Sequence, residues 1–220
     1  MRKESLLIAM LAFAAVPVVA AQDPPASAHF YVDSDSSWIR ILAWPDGPLK
    51  RFGHHHVISH HGISGTVEVA PDPLDSSFTL EVTAIDLLVD DPGQRAQEGG
   101  EFEGEIPDED IEGTRGNMLG EKLLNGEQFP AIQLESSSIE GSLPNAIIVT
   151  TVIVKGAENT IRFPVSIELT DDTFVARGET ELLHEAFGLS PFMAMGGALS
   201  VRDLLVFKYE IHGSRSTNPD

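Results

Sequence analysis

From Ser37 onward the chain alternates apolar and polar residues with a period of two, in one run after another. Over Ser37–Trp44 the residues Trp38, Arg40, Leu42 and Trp44 share one face, and Ile39, Ile41 and Ala43 share the other. Gly62–Val69 groups Ile63, Gly65, Val67 and Val69, and Ser77–Ala84 sets Phe78, Leu80 and Val82 against Thr79, Glu81 and Thr83. Thr160–Leu169 turns Ile161, Phe163, Val165 and Ile167 inward. Thr173–Leu182 repeats the pattern through Phe174, and Leu199–His212 ends with Leu205, Phe207, Tyr209 and Ile211 alternating. A period of two is that of a strand with one buried face. Asn145–Lys155 is apolar on both faces, and Gly, Pro, Asn and Asp clusters separate most of the runs, as turns require. Pro164 lacks a donor, so it belongs at a bulge or where no ladder bond is needed. The pattern predicts an all-β, single-domain chain: an antiparallel barrel or sandwich of about eight strands.

One segment breaks the pattern. Thr114–Asn125 spaces Met118, Leu119, Leu123 and Leu124 for one apolar helical face, which predicts one short helical excursion. Just before it, Glu98–Glu112 carries eight acids in fifteen residues. Such a run repels itself and is expected to be a solvated loop. It lacks the Asp-x-Asp-x-Asp-Gly order of a calcium loop. The whole chain has 14 Lys plus Arg against 34 Asp plus Glu, a formal charge of −20. That argues against nucleic acid and anionic lipid headgroups as partners, since both demand a basic face. With no cysteine among the 220 residues, disulfides, zinc ribbons and thiol nucleophiles are excluded.

Residues 1–21 begin with Arg2 and Lys3, continue through an apolar run from Leu6 to Val19, and end in Ala20 and Ala21. This is the order of a secretory signal, too short and too Pro-broken for a span. Its removal would leave an exported protein with a flexible leader over 22–28, a barrel over 29–213 and a disordered tail over 214–220. The strands carry charged residues against their apolar faces, so the barrel is not expected to span a membrane.

Five of the eight histidines lie within His54–His61. On a strand His54, His56 and His60 share a face, which makes them candidate ligands for a divalent metal such as Zn²⁺, Cu²⁺ or Ni²⁺, or for a haem-type group. His184 and Glu185 are candidates to approach from another strand. The competing reading is a polar barrel mouth whose imidazoles bond locally or meet a ligand headgroup. Nothing points to an enzyme. Ser59 and His60 are neighbours that face apart on a strand, and Gly62-Ile63-Ser64-Gly65 is not a nucleophile elbow.

Five stretches together resemble the YceI-like family. Phe52–Val69 is a His-bearing strand leading into Gly-x-x-Gly-x-Val, and Leu74–Val89 is a Ser-rich approach to the next strand. Met118–Ser137 holds leucines, then Phe129-Pro130, then a Ser-bearing strand. Asn145–Leu169 is a strand pair joined at Lys155–Thr160, and Leu182–His212 carries Phe187-Gly188 before a long last strand. The chain departs from the family where Gly116 follows Arg115 in place of Asp. The acidic 93–113 segment reads as an insertion, and the His-rich run marks a distinct branch. The resemblance implies a lipocalin-like barrel, a periplasmic location, and a ligand such as an isoprenoid quinone, a polyprenyl lipid or a fatty acid.

The residues expected to line such a ligand site are Trp38, Leu42, Val67, Phe78, Leu80, Val82, Phe163, Phe174 and Phe207, with Met118 from the helical segment. The expected partner is therefore an apolar small molecule, held by a monomer or weak dimer. Two alternatives are the metal module on His54, His56 and His60, and a ligand-free domain whose acidic loop meets a basic partner.

Overall fold

A computed structural model describes residues 27–215; residues 1–21, read above as a signal, lie outside the described residues, as do most of the leader and of the tail. The described residues form fourteen strands and two α-helices, with short 3₁₀ turns between them. In chain order the strands are β1 (Ala28–Val32), β2 (Trp38–Ala43), β3 (Pro45–Asp46), β4 (His56–His61), β5 (Ser64–Val69), β6 (Ser77–Thr83) and β7 (Leu88–Val89). After the helices come β8 (Ala131–Ser142), β9 (Asn145–Val154), β10 (Ala157–Leu169), β11 (Thr173–Leu183), β12 (Met193–Ala194), β13 (Leu199–Val201) and β14 (Leu204–Arg215). All pairings are antiparallel.

Several of these are halves of longer strands. β14 pairs β2 through Val206–Glu210 and β1 through Gly213–Arg215, so β1 and β2 are one strand interrupted at 33–37. β4 and β5 pair with those two halves and are broken only at Gly62-Ile63. β6 and β7 continue the series. Counted this way, eight long strands follow one another in chain order, and β14 returns to β1 and β2 to close the barrel. Closure removes the open edges that a free sheet would expose. The interruption at 33–37 is sealed by Ser37, whose hydroxyl accepts from the His212 amide at 3.0 Å and donates to the Asp33 carbonyl at 2.6 Å. Pro164 sits just short of the β10–β11 ladder, which begins at Ser166, so its missing N–H leaves no gap there.

The main core joins Phe30, Ile58, Ile63, Val82, Leu87, Phe174 and Ile211 inside the barrel. Phe30 and Phe174 meet edge to face at 5.7 Å. A separate small core, Leu42, Val57 and Phe102, lies on the outside of β2 and β4. Residues 92–103 build that outer layer. Most acids of the charge run, Glu101, Glu103, Glu105, Asp108, Glu109 and Glu112, are exposed as expected, but the run is not one loop, since Glu98 is buried at its start and a helix forms its end. Pro92–Glu98 forms α1, capped by Asp91, whose carboxylate accepts from the Gln94 amide at 3.0 Å. A single 3₁₀ turn holds buried Phe102, and Asp108–Leu119 forms α2. The helix therefore starts six residues before the predicted Thr114 and ends before Asn125. Its acidic first turn, Asp108 to Asp110, suits the positive end of a helix. Glu98 is almost fully buried between Arg40 at 2.7 Å and Lys208 at 2.5 Å. Burial raises its carboxyl pKa, but these two cations outweigh burial and hold it below the usual range.

Candidate functional site

The closed sheet encloses a cavity of about 640 Å³, within the roughly 300–1,000 Å³ typical of small-molecule sites. Its wall is overwhelmingly apolar and runs along the barrel, from Leu199 and His56 at one end to Leu143 and Leu169 at the other. Val67, Phe78, Leu80, Val82, Met118, Phe163, Phe174 and Phe207 all stand on this wall. Ladder register explains how they converge. Val67 is paired with Phe78 across β5 and β6, and Leu80 with Leu134 across β6 and β8. Residues opposite each other in a ladder project from the same face.

Trp38 and Leu42 do not line the cavity, which corrects the sequence expectation. Phe207 pairs with Ile41 and Tyr209 with Ile39, so the inward face of β2 is Ile39, Ile41 and Ala43. The opposite face is covered from outside by the 92–103 segment. Leu42 packs there with Phe102, and Arg40 reaches Glu98 while stacking over Trp38 at 4.0 Å. Both faces of β2 are buried, so apolarity alone could not tell them apart.

One end of the cavity is polar. α2 contributes Glu109, Asp110, Thr114 and Asn117 to the wall there, the segment before β4 contributes His54, and the first residue of β4 is His56. Asp90 organises this end. It is 2 % exposed. One carboxylate oxygen accepts from the Val57 amide at 2.9 Å and from Arg95 at 2.6 Å; the other faces His56 Nδ1 at 2.6 Å. Arg95 also donates to the His55 carbonyl at 2.7 Å. Burial raises the pKa of Asp90, yet His56, the Val57 N–H and Arg95 outweigh it and hold the carboxyl below its ordinary value. An ionised carboxylate only accepts, so His56 must carry its proton on Nδ1. In the neutral ring Nε2 is then an acceptor, faced by the Thr114 hydroxyl at 3.5 Å. The one sequence cue was an Asp-Asp pair before Pro-Gly. The second aspartate caps α1, and that leaves the first facing inward.

The three candidate metal ligands do not converge. The rings of His54 and His56 are 6.2 Å apart, and His54 faces Asp110 at 3.3 Å. His60 lies four residues further along β4, about 13 Å at strand rise. It is 1 % exposed, and neither ring nitrogen has a hydrogen-bond partner among the described residues. Burial pushes its pKa down, so it stays neutral; the Asp86 charge opposes this only in part. His184 is buried against Asp203, its Nδ1 2.8 Å from that residue's carbonyl. Among the described residues no group of three His, Asp or Glu side chains is placed to hold a metal ion.

Comparison with known proteins agrees with this architecture. The YceI-like domain family matches residues 30–211. No curated protein matches the chain. BcnA of Burkholderia cenocepacia has a similar solved structure, with a TM-score of 0.60 and 14% identity, covering 82% of this chain and 98% of its own. So does a polyisoprenoid-binding domain of Saccharophagus degradans implicated in plant cell wall breakdown. Its TM-score is 0.55 and its identity 8%, covering 85% of this chain and 98% of that one. At such identities the likeness is one of fold. Among the described residues no helix is long and apolar enough to cross a membrane.

Proposed function

Since the chain belongs to the YceI-like family, we propose that it is an exported carrier that sequesters one amphiphilic molecule in its barrel, binding it without transforming it. The continuous apolar wall of the 640 Å³ cavity carries this reading. A hydrocarbon tail gains about 0.8 kcal/mol for each CH₂ it buries. About ten buried carbons give roughly 8 kcal/mol before the cost of immobilisation, against the ~8.2 kcal/mol of a micromolar complex. The tail supplies the affinity and the wall sets its length.

The polar end selects the head. His56 Nε2 offers a lone pair, and Thr114 and Asn117 stand beside it on the wall. Glu109 and Asp110 repel an anionic group. A neutral head bearing a hydroxyl suits these partners better than a phosphate. Of the ligand classes implied by the family, a polyprenyl alcohol or a reduced quinone fits best; a fatty acid fits in its protonated form. The experiment is a calorimetric titration with prenyl alcohols of increasing length and with their methyl ethers. Affinity should rise with each isoprene unit and then level off, and each ether should bind more weakly than its alcohol. Affinity independent of chain length would overturn the carrier reading. Equal affinity for alcohol and ether would remove His56 as the head's partner.

A further inference from the structure

Scattered exposed apolar side chains are ordinary on a protein surface, but a cluster of them is not. Among the described residues the three most exposed large apolar ones, Met195 at 75 %, Met193 at 65 % and Phe52 at 62 %, belong to one tip. Residues 45–53 and 192–202 build it. β13 pairs with β12 on one side and with β3 on the other, a small sheet apart from the barrel. The Leu49 amide donates to the Ala198 carbonyl at 2.9 Å and fastens the two segments together. Phe52 also stands on the cavity wall, so the tip is the rim of the ligand cavity.

The charge of the tip is opposite to that of the chain. Its two segments carry Lys50, Arg51 and Arg202 against one acid, Asp46, in a chain of formal charge −20. All three cations are exposed. None is in an ion pair with a described residue, unlike Arg40, Arg95, Arg162, Arg177 and Lys208, though Arg115, Lys122, Lys155 and Arg215 are likewise unpaired among the described residues. At physiological ionic strength charges beyond about 8 Å are screened. The same end of the barrel carries Asp203, Glu109 and Asp110, so a surface that meets this tip meets an apolar patch with three exposed cations bordered by acids.

We propose that this tip docks on a bilayer carrying anionic lipid, so that a ligand passes between membrane and cavity without crossing water. Met193 and Met195 enter the headgroup boundary, and Lys50, Arg51 and Arg202 lie against lipid phosphates, the usual pairing of an interfacial anchor. Phe52, shared by rim and surface, stands at the passage. The proposal takes its purpose from the carrier reading, but its test does not depend on that reading.

The test uses the purified chain loaded with a fluorescent prenyl alcohol, and vesicles of phosphatidylcholine with and without about a third phosphatidylglycerol. Docking predicts flotation with the anionic vesicles, weakened by salt, and a transfer rate that rises with vesicle concentration. Met193→Ser/Met195→Ser and Lys50→Glu/Arg51→Glu alter residues off the cavity wall. Each pair should retain bound ligand yet float and transfer at least about tenfold less, the first by losing apolar insertion and the second by reversing the charge that faces the lipid. Transfer at one rate whatever the vesicle concentration, with no flotation, would overturn docking and leave the carrier intact. So would self-association through the tip in place of vesicle binding. If no prenyl alcohol loads, the carrier reading fails, and flotation of the unloaded chain still decides the docking.

Discussion

Replacing Asp90 by Asn tests the buried network that holds the polar end of the cavity. The carboxylate is fully buried and opposes Arg95, whose side chain is only 6% exposed. Asn can still accept from the Val57 amide, but it leaves the guanidinium without its counter-charge. Stranding one partner of a buried ion pair costs about 3–5 kcal/mol. For a domain of this size each kcal/mol lowers Tm by about 2–4 °C, so the variant should melt about 6–20 °C lower. Removing both charges with Asp90→Asn/Arg95→Met should recover most of that loss. The sign of the pH dependence follows from the same contacts. The pKa of Asp90 is lower folded than unfolded. The carboxylate therefore contributes stability above its unfolded value of about 3.9, and that contribution is lost as pH falls through the folded value. Urea melts of both variants between pH 3 and 7 would measure this. A single-variant loss below about 1 kcal/mol, the size of a surface pair, with an unchanged acid limb, would refute the reasoning.

Three further outcomes follow from the same geometry. His60 is buried neutral with a lowered pKa, so the unfolded chain takes up its proton first as pH falls below about 6.5. Stability should then fall by up to about 1.4 kcal/mol per pH unit below that point, and His60→Leu should flatten the slope in melts from pH 7 to 5; an unchanged slope would sink this. Phe78→Arg puts a charge on the cavity wall and should abolish retained lipid in a folded protein, read by extraction and mass spectrometry. The two faces of β2 should separate. Ile41→Trp should reduce ligand uptake, whereas Leu42→Ala should cost about 2–5 kcal/mol of stability and leave ligand affinity within about twofold.

The strands were legible in the sequence because a closed barrel imposes one rule, in and out by turns, on every strand. Phe78, Leu80 and Val82 show it at its clearest, with Thr79, Glu81 and Thr83 between them. β2 escaped that rule because a second layer covers its outer face. Leu42 is apolar to meet Phe102, and Trp38 lies under Arg40, which reaches α1 through Glu98. The acidic run misled for a related reason. Eight acids read as a solvated loop, but Glu98 is bound by two cations from β2 and β14, whose approach no local pattern announces. The histidine spacing predicted a shared face and missed the distance along it: His56 meets the polar mouth while His60 is sealed in the protein interior. Asp90 was invisible as a site residue because its partners lie 5 and 34 positions away.

Native mass spectrometry of the chain purified from its own host addresses the hollow barrel most directly. One lipid per chain should survive gentle ionisation and leave on activation, with a mass that extraction assigns to a single-headed isoprenoid or acyl compound. A bare polypeptide that also takes up nothing from a total lipid extract of that host would contradict the account.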